Sequence, residues 1–377
     1  MTSNPNEILE AALDVVRQPD FVQDEKLNAQ QYHWIRTICQ RAEHHKAIVA
    51  ALLTSLLKKV VTPEQDIRQH KIVLPNGYSG RSFDTLYVTP FLSRHFRHLA
   101  MAESGWLTRS LEQLAPFDLQ FPGRIRDAAV KDAFLRILDS LQNDSASAYD
   151  YMLVLLAELN ALAAQFPSRT ESQALSFVSV QTITQALKAH FFTRYSGSGA
   201  SRLPVVALYS IYQLLMDTKR YDGKRLLPLK KHTTSDRRAR SLADIEIIEN
   251  ESGAFFEIVE IKHQKPVTIG MLETLHAKLS GMQVSRCYVL TTADPNIGIE
   301  EQVSVETFIQ EISLQTGCEI IVNGVIPSLK YYLRLVDRPE RFLQLYSDNL
   351  YADAQQSGDV KSVHLKQWDA LLKEITS

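Results

Sequence analysis

Charged and apolar side chains alternate with a period of two in residues 244–249, whose sequence is Asp-Ile-Glu-Ile-Ile-Glu. Successive side chains of a β-strand point to opposite faces of its sheet, so this alternation predicts a strand. Asp244 and Glu246 share one face of the predicted strand, and Ile245 and Ile247 share the other. The strand therefore carries two carboxylates on one side and an apolar surface on the other.

A second alternating stretch, residues 255–262, ends in Val-Glu-Ile-Lys. Glu260 and Lys262 point to the same face of this predicted strand. The segment that links the two strands, residues 250–254, contains the Asn, Ser and Gly of a turn. The two strands are therefore predicted to form an antiparallel hairpin that brings Asp244 beside Glu260.

Helical and apolar patterns on both sides of the hairpin predict the rest of a sheet domain. Thr268 can cap a helix that ends near Gly281, and Pro204 stands in the first turn of an apolar stretch, where proline is tolerated. The predicted elements are helix 203–216, strands 244–249 and 255–262, helix 269–279, strand 286–292, helix 300–315 and strand 318–322, with one more strand expected within 225–232. This order predicts an α/β fold, an α+β mixed sheet covered by helices on both faces.

Helical periodicity dominates both ends of the chain. The helical predictions there are 6–65, 130–141, 149–165, 339–351 and 363–375. Residues 71–89 instead contain an Asn76-Gly77 turn signal, which predicts a short hairpin or an ordered loop. We expect a mostly helical N-terminal region 1–166, a sheet domain 173–337 and C-terminal helices 338–377.

Two carboxylates on neighbouring strands can hold one or two Mg²⁺ ions, together with water and substrate phosphate oxygens. Asp244 and Glu260 are the candidate ligands, and the carbonyl oxygen of Ile261 can add a third. Lys262 then lies next to the metal, where its ammonium group can orient or help to deprotonate an attacking water. Glu246 shares the face of Asp244 and is expected behind the metal ligands. This layout is typical of metal-dependent hydrolysis of phosphodiesters.

The Asp/Glu-x-Lys spacing is common by itself, and the chain contains five instances of it. They are Asp24/Lys26, Asp217/Lys219, Asp222/Lys224, Glu260/Lys262 and Asp359/Lys361. Only the fourth lies in an apolar strand with an Asp-bearing strand upstream. The alternative explanation of this pattern is a salt-bridged or solvated edge strand in a half-exposed sheet.

Asp244, Glu260 and Lys262, within this order of helices and strands, make residues 200–335 resemble the PD-(D/E)xK nuclease superfamily, which has the restriction-endonuclease-like fold. Ala243 stands where the family pattern often has proline. The resemblance implies a Mg²⁺-dependent nuclease in which Asp244 and Glu260 bind the metal and Lys262 is catalytic. It also implies that the sheet domain 173–337 is the catalytic domain.

Three further stretches, two in the N-terminal region and one that leads into Asp244, resemble the SacI-type family of type II restriction endonucleases. They are 76–84 (Asn-Gly-Tyr-Ser-Gly-Arg-Ser-Phe-Asp), 103–112 (Glu-Ser-Gly-Trp-Leu-Thr-Arg-Ser-Leu-Glu) and 232–238 (His-Thr-Thr-Ser-Asp-Arg-Arg). This resemblance implies sequence-specific cleavage of double-stranded DNA at a short palindromic site by a homodimer, and the C-terminal helices are candidates for the dimer contact. A repair, recombination or structure-selective DNA nuclease of the same fold is one alternative. A catalytically silent DNA-binding protein is another.

The net charge of −2 does not by itself indicate a nucleic-acid partner, but the distribution of charge does. Residues 219–240 contain nine basic and two acidic side chains just before Asp244, which favours contact with a DNA backbone over the alternative of a solvated basic loop. The DNA-binding candidates in this segment are Lys230, Lys231, Arg237, Arg238 and Arg240. In the N-terminal region Arg81 and Arg109, with Arg94 and Arg97 nearby, are candidates for reading base edges. The alternative for each is a surface arginine or an intramolecular ion pair.

The composition is that of a globular protein, with 377 residues of which 45% are hydrophobic and 22% charged. No apolar run approaches the length of a membrane span, and the first residues do not resemble a secretory leader, so we expect a cytoplasmic protein without a membrane partner. The cysteines, Cys39, Cys287 and Cys318, are too widely spaced for a disulfide framework or a zinc cluster and are expected to be buried thiols.

Overall fold

The computed structural model describes residues 4–22, 26–143, 147–167, 178–229, 242–356 and 358–376. The chain divides into two units, Met1–Phe166 and Pro167–Ser377, each with many internal contacts.

Helices build the first unit. They are α1 Pro5–Val16, α2 Ala29–Cys39, α3 Lys46–Val61, α4 Gly80–Phe83, α5 Thr89–His95, α6 Ala128–Asn143 and α7 Ala148–Gln165. Helix α3 is apolar on almost every side, and all of its residues from Ile48 to Leu57 are buried, as expected of a central helix. Helix α7 packs against α3 and also against α1 and α2, so the core of this unit lies between these helices.

Residues 71–89 form an ordered loop that leads into helix, and the hairpin alternative is wrong. The turn is present, with Asn76 in the left-handed region at φ +52°. After it, the N–H of Tyr78 donates to the carbonyl of Gln69 at 3.0 Å, and α4 begins at Gly80. A π-helical turn, Asp84–Val88, continues from α4. The chain after the turn is therefore helical, and no returning strand pairs with the segment before it.

A five-stranded sheet with the strand order β1-β2-β3-β4-β5 forms the centre of the second unit. The strands are β1 Lys224–Leu226, β2 Ile245–Glu249, β3 Phe255–Lys262, β4 Val284–Thr291 and β5 Glu319–Gly324. The first three strands pair antiparallel, and β3, β4 and β5 pair in parallel. The predicted mixed α/β architecture is therefore confirmed, and the strand expected within 225–232 overlaps β1.

Helices cover both faces of this sheet, as the alternation along its strands requires. The helices of the second unit are α8 Val180–Phe192, α9 Arg202–Leu215, α10 Ile269–Leu279, α11 Gln302–Thr316, α12 Val325–Leu333, α13 Glu340–Gln356 and α14 Ser362–Thr376. Cys287 of β4 packs with Leu272 of α10 and Val305 of α11. The next residue, Tyr288, points to the opposite face and lines a cavity together with Leu215 of α9 and residues of α12.

The two closing helices belong to the second unit. Helix α13 packs against α9, and α14 packs against α8. A buried ion pair joins the first of these contacts, because Arg202 at the start of α9 lies 2.9 Å from a carboxylate oxygen of Asp353 on α13. Among the helices that the structure describes, none has the length and apolar character needed to cross a membrane.

All three cysteines are buried with free thiols. Burial raises the pKa of Cys39, Cys287 and Cys318. The raised pKa keeps these thiols protonated, whereas the thiolate is the reactive and metal-binding form of cysteine. The three residues therefore pack as small apolar side chains.

Acid sensitivity follows from a buried histidine in the second unit. The hydroxyl of Tyr346 lies 2.9 Å from Nδ1 of His190, and Nε2 lies 3.0 Å from the carbonyl oxygen of His364, which places the proton on Nε2. Burial lowers the pKa of His190 from 6.5 to about 3. Between pH 6.5 and about 3, the unfolded chain binds a proton at this histidine and the folded chain does not. The stability that the neutral histidine contributes is therefore complete above pH 6.5 and is lost as the pH falls toward 3.

We therefore expect the free energy of unfolding of the second unit to fall with acid, by up to about 1.4 kcal/mol per pH unit from this histidine. Denaturant unfolding between pH 6.5 and 5 measures this slope, followed by the fluorescence of Trp368 in a background where Trp34 and Trp106 of the first unit are replaced by Phe. A His190→Gln variant is expected to be less stable at every pH but to show a shallower slope. Equal slopes for the variant and the wild type would contradict the assignment.

Candidate active site

The β2–β3 hairpin places Asp244 at the end of β3. The register pairs Ile245 with Val259, so Asp244, one residue before β2, comes opposite Glu260. A carboxylate oxygen of Asp244, Oδ2, accepts the backbone N–H of Ile261 at 2.8 Å. The hydrogen bond fixes this carboxylate against the strand that carries the Glu-x-Lys pair.

Glu260 and Lys262 form an ion pair on the same strand. The distance from Nζ of Lys262 to Oε1 of Glu260 is 2.6 Å. Their side chains are 29% and 16% exposed, for Lys262 and Glu260 respectively, so both are partly buried and still open to a ligand. Period-two alternation explains why the two side chains meet, because residues two apart on a strand lie on one face.

A pocket of about 490 Å³ contains these side chains. Its lining residues are Ser198, Gly199, Ser201, Arg202, Val205, Asp244, Glu260, Ile261, Lys262, His263, Lys265, Asp359 and Lys361. They come from the end of the β2–β3 hairpin, the turn after β3, the loop and first turn of α9, and the turn between α13 and α14. The structure thus brings the four catalytic and metal-binding candidates to one place.

Glu246 supports the backbone that leads to Asp244. Its buried carboxylate accepts the N–H groups of Leu242 and Ala243, at 2.7 and 3.4 Å. Leu242 and Ala243 are themselves buried in the core under α10 and α11. The segment entering β2 is therefore held both by packing and by this carboxylate, which orients Asp244 without lining the pocket itself.

The turn after β3 directs two more side chains into the pocket. Gln264 has φ +53°, in the left-handed region, and its N–H donates to Oγ1 of Thr292 at 2.8 Å. The hydroxyl of Thr291 donates to the carbonyl of Lys265 at 2.7 Å. Strand alternation alone predicts His263 on the opposite face, in a packing role. The strand ends at Lys262, however, so His263 lines the pocket even though its ring also contacts Phe192.

The DNA-binding candidates fall in two places. Lys230, Lys231, Arg237, Arg238 and Arg240 lie outside the described residues. Arg81 and Arg109 are exposed side chains of the first unit. Arg94, by contrast, lies 3.0 Å from the carboxylate of Glu10, which is the intramolecular ion pair that the alternative explanation offers.

The stretches that carry Arg81 and Arg109 pack against each other. A Cβ atom on Gly80 would lie 2.6 Å from the Trp106 ring, so the close contact requires glycine at this position. The hydroxyl of Ser104 and the N–H of Gly105 both donate to the carboxylate of Asp84. The two stretches are therefore one structural feature of the first unit.

Sequence reasoning missed the part of the pocket that comes from distant segments. Gly199, Asp359 and Lys361 line it, although they lie far along the chain from the hairpin. The Asp359/Lys361 pair does repeat the Asp/Glu-x-Lys spacing, but on a turn and without a neighbouring acidic strand. That spacing was the only signal in the sequence that could have singled it out.

No protein-family model matches the chain, and no curated protein matches its sequence. The fold and the pocket define the class of site: a mixed α/β unit in which two carboxylates and a lysine lie at the end of a central hairpin.

Proposed function

We propose that the protein is a Mg²⁺-dependent nuclease that hydrolyses DNA phosphodiester bonds, with a restriction-endonuclease-like core. The observation that carries this proposal is that Asp244, Glu260 and Lys262 line a single pocket at the end of the β2–β3 hairpin. The pocket is partly open and large enough for a phosphodiester and its solvent.

The donor set fits a hard divalent cation. Mg²⁺ is usually held by one or two carboxylates, together with water and substrate phosphate oxygens, and it does not need a closed protein cage. Asp244 and Glu260 supply the carboxylates, and the carbonyl of Ile261 can add an oxygen. Among the described residues no group of three or more His, Cys, Asp and Glu side chains could hold a metal ion, so the pocket does not offer the closed set of a structural zinc site. When bound, Mg²⁺ would polarise the phosphate and make the water easier to deprotonate.

Lys262 has the chemistry required of the group that acts on the attacking water, beside the two carboxylates. Its ammonium is held within 2.6 Å of a Glu260 oxygen, so it lies beside the carboxylate that would bind the metal. From there it can orient the attacking water and stabilise negative charge that develops on the phosphorus centre. Asp244 is positioned for the same centre by its hydrogen bond from Ile261.

We further propose that the nuclease is a type II restriction endonuclease that cuts double-stranded DNA at a specific site as a homodimer. The basic segment 219–240 and the SacI-like stretches support this narrower function. The first two of those stretches are packed together, with exposed Arg81 and Arg109 on them, and thus could present side chains to DNA. Cleavage without site preference would favour a repair, recombination or structure-selective nuclease of the same fold.

One experiment tests both the proposed nuclease activity and its proposed site specificity. The purified protein is incubated with plasmid and genomic DNA, either with Mg²⁺ or with EDTA. We expect discrete fragments with Mg²⁺ and intact DNA with EDTA, and sequencing of the fragment ends is expected to return one short palindrome. Mg²⁺-dependent cleavage at unrelated positions would retain the nuclease and overturn the restriction function. Intact DNA under both conditions, on substrates of diverse sequence, would overturn the nuclease itself.

A further inference from the structure

A second Asp-x-Lys pair, Asp359 and Lys361, lies in the same pocket as Glu260 and Lys262. We propose that the 358–361 turn is a substrate-binding wall of this pocket, and that Lys361, together with Lys265, binds the DNA phosphate. This assignment rests on the proposed nuclease function, and it makes both lysines positioning residues for the substrate. It gives a role to the closing helices, whose connection would then complete the active site.

A buried ion pair between Arg202 and Asp353 holds the 358–361 turn in place. The N–H of Gly358 donates to the carbonyl of Asp353 at 3.1 Å, and the N–H of Val360 donates to its carboxylate at 3.3 Å. That carboxylate also pairs with Arg202, at 2.9 Å, and both side chains are about 5% exposed or less. A buried pair of this kind holds its geometry firmly, because separating the two charges leaves one of them without compensation. The position of the turn is thus set by α9 and α13.

A backbone contact closes this wall against the loop before α9. Gly199 has φ +113°, a conformation that L side chains rarely adopt, and a Cβ atom there would lie 2.0 Å from the carbonyl oxygen of Asp359. Because neither backbone can yield cheaply, the loop and the turn approach as closely as glycine permits. Both line the pocket, and together they form a fixed surface next to the end of β3.

Lys361 is oriented by its own turn. Its N–H donates to Nδ1 of His364 at 2.9 Å, and its ammonium donates to the carbonyl of Gly358. An ammonium has three N–H donors, so one group can hold the turn and bind a substrate oxygen together. Lys265 reaches the pocket from the turn after β3, where Thr291 fixes its backbone.

The charges in the pocket explain why such lysines are needed. A phosphodiester in this pocket meets the carboxylates of Asp244, Glu260 and Asp359, and the resulting repulsion must be offset by cations. Lys262 brings one ammonium group to the pocket. Lys265 and Lys361 bring two more ammonium groups to the pocket from separate turns, which suits contacts to successive oxygens of one DNA strand.

Salt dependence separates a phosphate contact from a purely structural lysine. The slope of log K against log salt concentration is negative, and each phosphate contact that is lost makes it shallower by about 0.9 for duplex DNA. We expect Lys361→Gln to make this slope shallower by about 1, to weaken duplex binding about tenfold and to raise KM more than it lowers kcat. Lys361→Arg is expected to restore the slope. Lys366→Gln, which removes an exposed lysine of α14, is the control of equal charge change.

The outcomes of this experiment separate a failure of the Lys361 inference from a failure of the proposed nuclease function. If wild-type protein binds and cleaves DNA, and Lys361→Gln keeps the same salt slope as Lys366→Gln, the turn has no phosphate contact and the inference is overturned. The same conclusion follows if Lys361→Gln is merely less stable and Lys361→Arg does not restore the slope. Lys265→Gln and Lys265→Arg give the same readout should Lys361→Gln not fold. Wild-type protein that neither binds nor cleaves DNA would overturn the proposed function together with this inference.

Discussion

A Lys262→Ala variant is expected to cleave DNA about 10²–10⁴ times more slowly than the wild type while still binding the duplex. The substitution removes the ammonium that lies 2.6 Å from Glu260 and leaves the hydrogen bond between Ile261 and Asp244 in place. Single-turnover cleavage at saturating protein measures the chemical step, and duplex binding in EDTA measures affinity separately. A large loss in the first with little change in the second is the signature of a group that acts on the reacting atoms.

Lys278→Ala is the matched control, since it removes an exposed lysine of α10 in the same unit. Its cleavage rate and its unfolding transition are expected to equal those of the wild type. A partly exposed ion pair such as Lys262–Glu260 contributes little to stability, so Lys262→Ala is also expected to unfold normally. Equal cleavage rates for Lys262→Ala and wild type would eliminate Lys262 from the chemistry, and absence of turnover in both would favour the catalytically silent alternative.

The hairpin could be predicted from the sequence because its determinants are local. Alternation with a period of two fixes which side chains share a face, and a short turn fixes which strands are neighbours. These two rules place Asp244 beside Glu260, and the register of β2 and β3 agrees with them. β4 and β5 lie close to their predicted ranges for the same reason, because each is a short apolar stretch between helical patterns.

The end of β3 at Lys262 agrees with the predicted strand, but the turn after it, which brings His263 into the pocket, could not be predicted, because a contact with a distant residue supports it. Alternation continued by one residue would turn His263 away from the pocket. The chain instead bends at Gln264, whose left-handed conformation is supported by a hydrogen bond to Thr292 after β4. Thr292 is remote in sequence from Gln264, and the local sequence around His263 and Gln264 does not predict this hydrogen bond.

The position of the 358–361 turn in the pocket could not be predicted from local sequence patterns, because it depends on contacts between distant residues. It needs the Arg202–Asp353 ion pair and the close approach of Gly199 to Asp359, both of which join residues more than 100 positions apart. Sequence spacing identified the Asp359/Lys361 pair only as one of five similar pairs. Its position beside the catalytic candidates is a property of the tertiary fold.

The stretches 76–84 and 103–112 show how resemblance and physical role can differ. Their sequences suggested a nuclease family, whereas their most buried members serve the packing of the first unit. The Trp106 indole N–H donates to Nδ1 of His70 at 3.0 Å, and that ring stacks on Phe117 with centroids 3.6 Å apart. Arg81 and Arg109 remain exposed on this rigid support. Rigid support of exposed arginines is what a base-reading surface requires, so the fold role and the proposed DNA role are compatible.

The second large effect is expected from Asp84→Ala, in the carboxylate that joins these two stretches. Asp84 is fully buried, and it accepts hydrogen bonds from the hydroxyls of Ser104 and Thr89 and from the N–H of Gly105. Burial raises the pKa of Asp84, and the hydrogen bonds from these donors offset part of that rise. Alanine leaves these buried donors without an acceptor, and each such loss typically costs about 1–3 kcal/mol. The free energy of unfolding of the first unit should therefore fall by about 3 kcal/mol or more.

Denaturant unfolding in a Trp368→Phe background measures this effect, because the remaining tryptophans, Trp34 and Trp106, lie in the first unit. Ser104→Ala is the graded control, since it removes one donor and keeps the carboxylate, and it should cost about 1 kcal/mol. If the carboxylate holds the Arg81 and Arg109 surface in shape, Asp84→Ala should also weaken DNA binding at temperatures where the second unit remains folded. A variant as stable as Ser104→Ala would show that this buried carboxylate contributes no more than one ordinary hydrogen bond.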